Sequence, residues 1–231
     1  MLQIDKMIYS RLATFLITTA CVLLCQNILQ ASKSNSQDIR KPLLDSNKRF
    51  WIYGGTRQAD PFIPHGWMPA EAASMIKEFN LACHTNPHSS NNCLAVDISW
   101  LKYPGWCGVA WMTQEKAKDK SPWWGQDASG CAYNLTSAKQ LVVWARGAKG
   151  GERIQFKIGI LGDKPYGDST ISPIESDWVT LSTKWQKYTI NLRGNNLARI
   201  ANGFTLISSQ REQTGSPNQT SFFLDDIYFQ F

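Results

Sequence analysis

Apolar and polar positions alternate most regularly between Gln140 and Ile160, QLVVWARGAKGGERIQFKIGI. Val142 and Trp144, with the Leu141/Val143 row, make a β-branched and aromatic first arm. In the second arm Ile154, Phe156, Ile158 and Ile160 recur every second residue, with Arg153, Gln155 and Lys157 between them. Period two marks a strand with one dry and one wet face. Gly147, Gly150 and Gly151 stand between the arms, so the pattern predicts a β-hairpin. A lone hairpin is marginal in water and needs a sheet around it. Strand patterns recur at Phe50–Gly54, Cys93–Trp100, Cys107–Met112, DWVTL, Trp185–Leu192, Gly203–Ser209 and Ser221–Phe231. Ala59 to Pro69, with three prolines and a glycine, reads as an irregular loop, and Pro69 to Phe79 as a helical turn or two. About nine short strands separated by Gly, Pro, Asn and Ser predict an all-β chain, a β-sandwich of jelly-roll type.

Composition adds a compartment and removes one partner class. The 231 residues, 43% of them apolar, suffice for one sizeable core. Ten tryptophans suit ring-stacking surfaces as well as cores. The net charge of +6 is spread without a basic block, which excludes a nucleic-acid footprint. Lys6 and Arg11 precede the apolar run Leu12 to Cys25, too short for a membrane span of roughly 20 residues and right for a signal peptide. The expected organisation is a signal peptide over 1–31, a polar linker over 32–48 and a sandwich over 49–231. The product is expected to be secreted or periplasmic, with no span left after signal removal. The minor alternatives are a lipid anchor at Cys25, against which Leu24 speaks, and an uncleaved signal anchor.

Export leaves Cys83, Cys93, Cys107 and Cys131 in an oxidising compartment, where an even count favours disulfides. Local nesting pairs Cys83 with Cys93 and Cys107 with Cys131, each bridge worth about 2–3 kcal/mol. The rival reading is zinc at Cys83, His84, His88 and Cys93, but that spacing matches no standard finger.

Catalytic motifs are missing. There is no GxSxG, HExxH or P-loop, and the three histidines fall in one loop-rich region. Glycoside hydrolysis needs two carboxylates at a set separation, and the only acid clusters are Glu175/Asp177 and Asp225/Asp226.

GWCGVAW, WWGQDASG, LVVWARGAKGGERIQFKIG, WVTLSTKWQKYTINLRGNNLARIANGF and SFFLDDIYF together resemble the galactose-binding-like jelly-roll domains that serve as carbohydrate-binding modules of polysaccharide-degrading enzymes. The resemblance covers roughly residues 50 to 231 and implies a non-catalytic glycan binder, with a separate carbohydrate-active enzyme as a further partner. Pyranose C–H faces pack on indoles and hydroxyls meet planar polar groups, so Trp123 and Trp124 in their polar loop are the first platform candidates, with Trp106 next. Loop anchoring is the alternative for that pair. Trp144, Trp178 and Trp185, inside strand patterns, are expected in the core. Tyr166 and Asp168 of KPYGDS either line the same edge or form a plain turn. The resemblance also implies a structural calcium held by Asp225 and Asp226 with acids near the first strand, but here Gly54-Gly55 stands where an acid is wanted. Asn134 and Asn218 head glycosylation sequons, meaningful only in a eukaryote.

The expectation is therefore a secreted polysaccharide-binding domain. The alternatives are an extracellular lyase or hydrolase using the concave sheet, and a surface interaction protein of the same fold without sugar affinity.

Overall fold

The computed structural model describes residues 37–54, 61–101, 105–113, 123–215 and 217–231, so the expected signal peptide lies outside the described residues. Two antiparallel sheets face each other. Sheet I has the order β10 (Ile174–Glu175), β9 (Arg153–Ile158), β13 (Asn202–Ser209), β6 (Trp106–Met112), β3 (Ile63–Met68), with β11 (Val179–Thr180) also on β9. Sheet II runs β12 (Gln186–Asn191), β8 (Gln140–Gly147), β14 (Gln219–Gln230), β5 (Cys93–Ser99), β4 (Ile76–Cys83), with β2 (Arg49–Tyr53) also on β14. The expected all-β sandwich is the observed one.

The alternation along each strand sets what lies between the sheets. Leu141, Val143 and Ala145 of β8 and Phe222, Leu224, Ile227 and Phe229 of β14 point inward, against Ile154, Phe156 and Ile158 of β9 and Val109 and Trp111 of β6. Rings cross the core in contact. Phe79 of β4 lies 5.6 Å from Trp111, which is 5.0 Å from Phe204 of β13, itself 5.8 Å from Phe156.

The expected hairpin is not one. β8 pairs with β12 and β14, whereas β9 pairs with β10, β11 and β13, so residues 148–152 carry the chain from one layer to the other as an arch. Both arms are amphipathic, and that pattern is met equally by facing across a core and by lying edge to edge. β12 takes the edge of β8 and β11 that of β9, and the link between them borders the arch: Gly147 donates to Ser182 O, and Gly151 to Leu181 O.

Two further boundaries differ. The ordered fold starts before Arg49, because β1 (Asp38–Arg40) pairs in parallel with β7 (Cys131–Tyr133) and Asp45 accepts hydrogen bonds from Asn47 N, Arg49 N and Trp51 Nε1. The helix of the 69–79 stretch is only α1 (Ala72–Met75). Its continuation is β4, bent by register shifts after Ile76 and after Asn80.

None of the four described cysteines is in a disulfide. Pairing of Cys107 with Cys131 is ruled out by position. Cys107 sits opposite Ser208 near the start of β6, while the Cys131 carbonyl takes the hydroxyl of Thr113, just past the end of β6. Six residues of strand, about 20 Å, separate the two places. Cys83 and Cys93 do face each other across β4 and β5.

Candidate functional site

The outward face of sheet I carries the most accessible indole of the described strands. In β6 the inward residues Val109 and Trp111 leave Trp106, Gly108, Ala110 and Met112 to the other side. Trp106, opposite Ser209, is 46% exposed. Four residues along, the Trp124 indole lies over the Gly66–Ala110 pair: a Cβ built on Gly66 meets Trp124 Cη2 at 3.1 Å and Ala110 Cβ at 2.8 Å. Between the two rings, Met68 and Ile207 flank Gly108, where a Cβ falls 2.6 Å from Ile207 Cδ1. The result is a flat apolar strip with a ring at each end, about 13 Å apart by strand rise. Polar groups border it. Gln155 lies opposite Ile207, and Lys157, opposite Thr205, is ion-paired with Glu175.

The other residue expected to stack, Trp123, is fully buried at 0% exposure. It packs with Ala110, Met112, Ala132, Leu161 and Ala201, its ring lying directly over Gly130. It is a loop anchor, and the platform expectation is corrected for it. Tyr166 is half-buried against the same cluster, and its N–H donates to Gly125 O at 3.1 Å, so it braces the loop of Trp124. Asp168 does not line a sugar site either. At 2% exposure it accepts the backbone N–H groups of Leu161 (2.8 Å), Ala201 (2.6 Å) and Asn202 (3.0 Å). Burial pushes its carboxyl up to about 6 against those three donors.

Asp225 and Asp226 do come together, in a bulge of β14 that places Asp226 at φ 45°. Every carboxylate oxygen there already meets a protein donor. Asp225 Oδ1 accepts from Asp226 N and Oδ2 from His88 N; Asp226 Oδ1 accepts from Ser89 Oγ and Oδ2 lies 2.7 Å from His88 Nδ1. Gly54 closes the cradle from β2 without bringing an acid. Two carboxylates so engaged do not fit a hard cation wanting six to eight oxygens, and they hold the 84–92 loop instead. Among the described residues no group of three His, Cys, Asp or Glu is placed to hold a metal, the zinc reading included.

Gly54 itself yields a prediction. It has φ 89°, and a Cβ on it sits 2.9 Å from Asp226 N, a backbone atom that cannot swing away. Gly54→Ala is expected to cost about 2–3 kcal/mol in urea unfolding. Gly151→Ala, at φ 93° with nothing within 4 Å of the added carbon, is expected to cost the backbone part alone.

No family model matches the chain, and no curated protein does. Among solved structures it is similar to a family 30 carbohydrate-binding module, at TM-score 0.43 and 13% identity, covering 68% of this chain and 77% of that one. It is also similar to a variant of a family 29 carbohydrate-binding module, at TM-score 0.40 and 7% identity, covering 77% and 87%. A third is the family 11 module from Clostridium thermocellum in complex with a β-1,3-1,4-mixed-linked tetrasaccharide, at TM-score 0.37 and 10% identity, covering 62% and 77%. Likeness at this level assigns neither a ligand nor a residue role to this chain.

The outward face of sheet II holds what strand patterning missed. Trp144 and Trp185, expected in the core, are half-buried on the outside, because the inward row of β8 is Leu141, Val143 and Ala145. Trp178 is half-buried as well. The His88 ring stacks on Trp144 at 3.7 Å, and Trp185 Nε1 donates to Asn86 O, so the 84–92 loop lies on this face. Arg146 shares the face with Trp144, two residues away along β8, and that shared parity was the available signal.

Proposed function

We propose that the protein binds polysaccharide without cleaving it, along the outward strip of sheet I between Trp106 and Trp124. The observation that carries this reading is the 46% exposed Trp106 on the same sheet face as the Trp124 indole, with small and apolar residues between them. A strip of this kind suits the C–H faces of a chain of pyranose rings, while the partly exposed Lys157–Glu175 pair offers charged partners for hydroxyls at its border. Three of the four acids in the two clusters weighed for hydrolysis are engaged within the protein: Glu175 with Lys157, and Asp225 and Asp226 with the 84–92 loop. Export belongs to the same reading. In an oxidising compartment Cys83 and Cys93, already opposite each other, would close on an external disulfide oxidant and tie off that loop.

The test is affinity electrophoresis in gels containing soluble β-glucan, xylan, mannan or galactan. One polymer is expected to retard the wild type, and Trp106→Ala and Trp124→Ala are each expected to weaken that retardation roughly tenfold, the equivalent of about 1.4 kcal/mol of stacking. A wild type that runs unretarded in every gel favours the interaction protein without sugar affinity. New reducing ends or unsaturated products after incubation favour the enzyme.

A further inference from the structure

Arg146 is a buried cation without a counter-charge. It is 8% exposed, and its guanidinium carbon lies 3.8 Å from the ring centroid of Phe223 and 5.2 Å from that of Trp185. Nη2 donates to Thr85 O at 2.8 Å, while the buried Nε has no acceptor. Ion pairs among the described residues engage Arg40, Arg153, Lys157 and Lys164, and none engages Arg146.

Three acids of this face are spoken for. Asp225 and Asp226 hold the 84–92 loop, and Asp97 accepts from Gln219 Nε2 and Ser221 Oγ. The nearby Cys93 thiol, pushed up to about 12 chiefly by burial, stays neutral near pH 7 and supplies no charge. Removing a cation from water without a partner is costly, and the rings of Phe223 and Trp185 offset only part of it. A guanidinium edge matches a carboxylate in a two-bond fork. A second cation shares the face: Lys187, exposed on β12 directly opposite Trp144, the residue two before Arg146.

We propose that Arg146, with Lys187 beside it, receives the carboxylate of a uronic-acid glycan on the outward face of sheet II, Trp185 flanking the sugar ring. The carboxylate rests on Arg146 alone; that a glycan carries it rests on the reading above. This face is separate from the Trp106–Trp124 strip, so variants on one face distinguish its failure from that of the other.

The probes are polygalacturonate and the same polymer fully methyl-esterified, in affinity gels at low and at raised salt. Wild type is expected to be retarded by the free acid at least tenfold more strongly than by the ester, with salt weakening the effect. Arg146→Gln is expected to abolish the difference and Arg146→Lys to keep only part of it, while Trp106→Ala retains it in full. Because Arg146→Gln also removes the packing of the guanidinium on Phe223 and Trp185, thermal midpoints give a second measure. Galacturonate should raise the wild-type midpoint where galactose and acetate do not, and Lys187→Gln, at an exposed position, should shrink that rise several-fold. A response to acetate equal to that for galacturonate leaves the carboxylate and removes the glycan, overturning the proposal as stated. Equal retardation by acid and ester, no retardation by either, or an unchanged Arg146→Gln overturns it outright.

Discussion

Asp168→Ala is expected to lower the stability of the protein by roughly 3–6 kcal/mol, a large share of the 5–15 kcal/mol that a domain commands. The substitution leaves the N–H groups of Leu161, Ala201 and Asn202 buried and without an acceptor, each worth about 1–3 kcal/mol. Those three donors come from two separate segments, so the loop of Tyr166 and the start of β13 should loosen together. Equilibrium urea unfolding measures the loss, and a change below 1 kcal/mol would contradict the role assigned to this side chain. The same carboxyl gives a pH dependence whose sign is fixed. Its folded value of about 6 lies above the ordinary 3.8, so the folded state holds the proton more tightly. Its contribution is therefore greatest below about pH 4 and declines as pH rises through 6, by about 3 kcal/mol at 1.36 per unit. Asp168→Asn keeps a carbonyl for Ala201 and Asn202 and cannot ionise. The difference between wild type and Asp168→Asn in urea midpoints at pH 4.5 and pH 7 should show that decline in the wild type only.

Trp123→Ala and Trp124→Ala are expected to behave oppositely, although the residues are adjacent. Trp123 at 0% exposure fills the space over Gly130 among Ala110, Met112 and Leu161, so its truncation opens a cavity and costs about 3–5 kcal/mol. Trp124, half-buried over Gly66, gives up far less packing, and its loss should appear in polysaccharide retardation and hardly in the unfolding midpoint. Measuring both quantities for both variants separates anchor from platform. If Trp123→Ala unfolds like the wild type, the buried placement of that ring is wrong.

These two tryptophans also show where reading the sequence stops. A polar loop says that its rings are not strand core, but which of two neighbours turns inward depends on Gly130 and Ala110, distant in sequence and small enough to accept an indole. The strands themselves were legible, because period two in β5, β6, β8, β9, β12, β13 and β14 follows from one wet and one dry face. Partners were not. The Gln140–Ile160 stretch satisfies a hairpin and an arch equally until β11 and β12 compete for its edges. Hydrophobicity alone turns Trp144 inward, although Arg146 shares its parity and a charged neighbour on the same face marks the outside. Asp225 and Asp226 match one half of a cation site only through the resemblance. The donors that occupy them, from His88 and Ser89, lie more than a hundred residues upstream and carry no local signature.

The arch at 148–152 has one more effect. Because it sends β8 into one layer and β9 into the other, Trp144 and Arg146 emerge on one side of the molecule while Gln155 and Lys157, only a few positions later, emerge on the reverse side. Two layers roughly 10 Å apart stand between them. A single fibre lying on either surface never reaches the other, and a molecule gripping one strand by each would act as a spacer, setting the distance between neighbouring chains in a wall or gel.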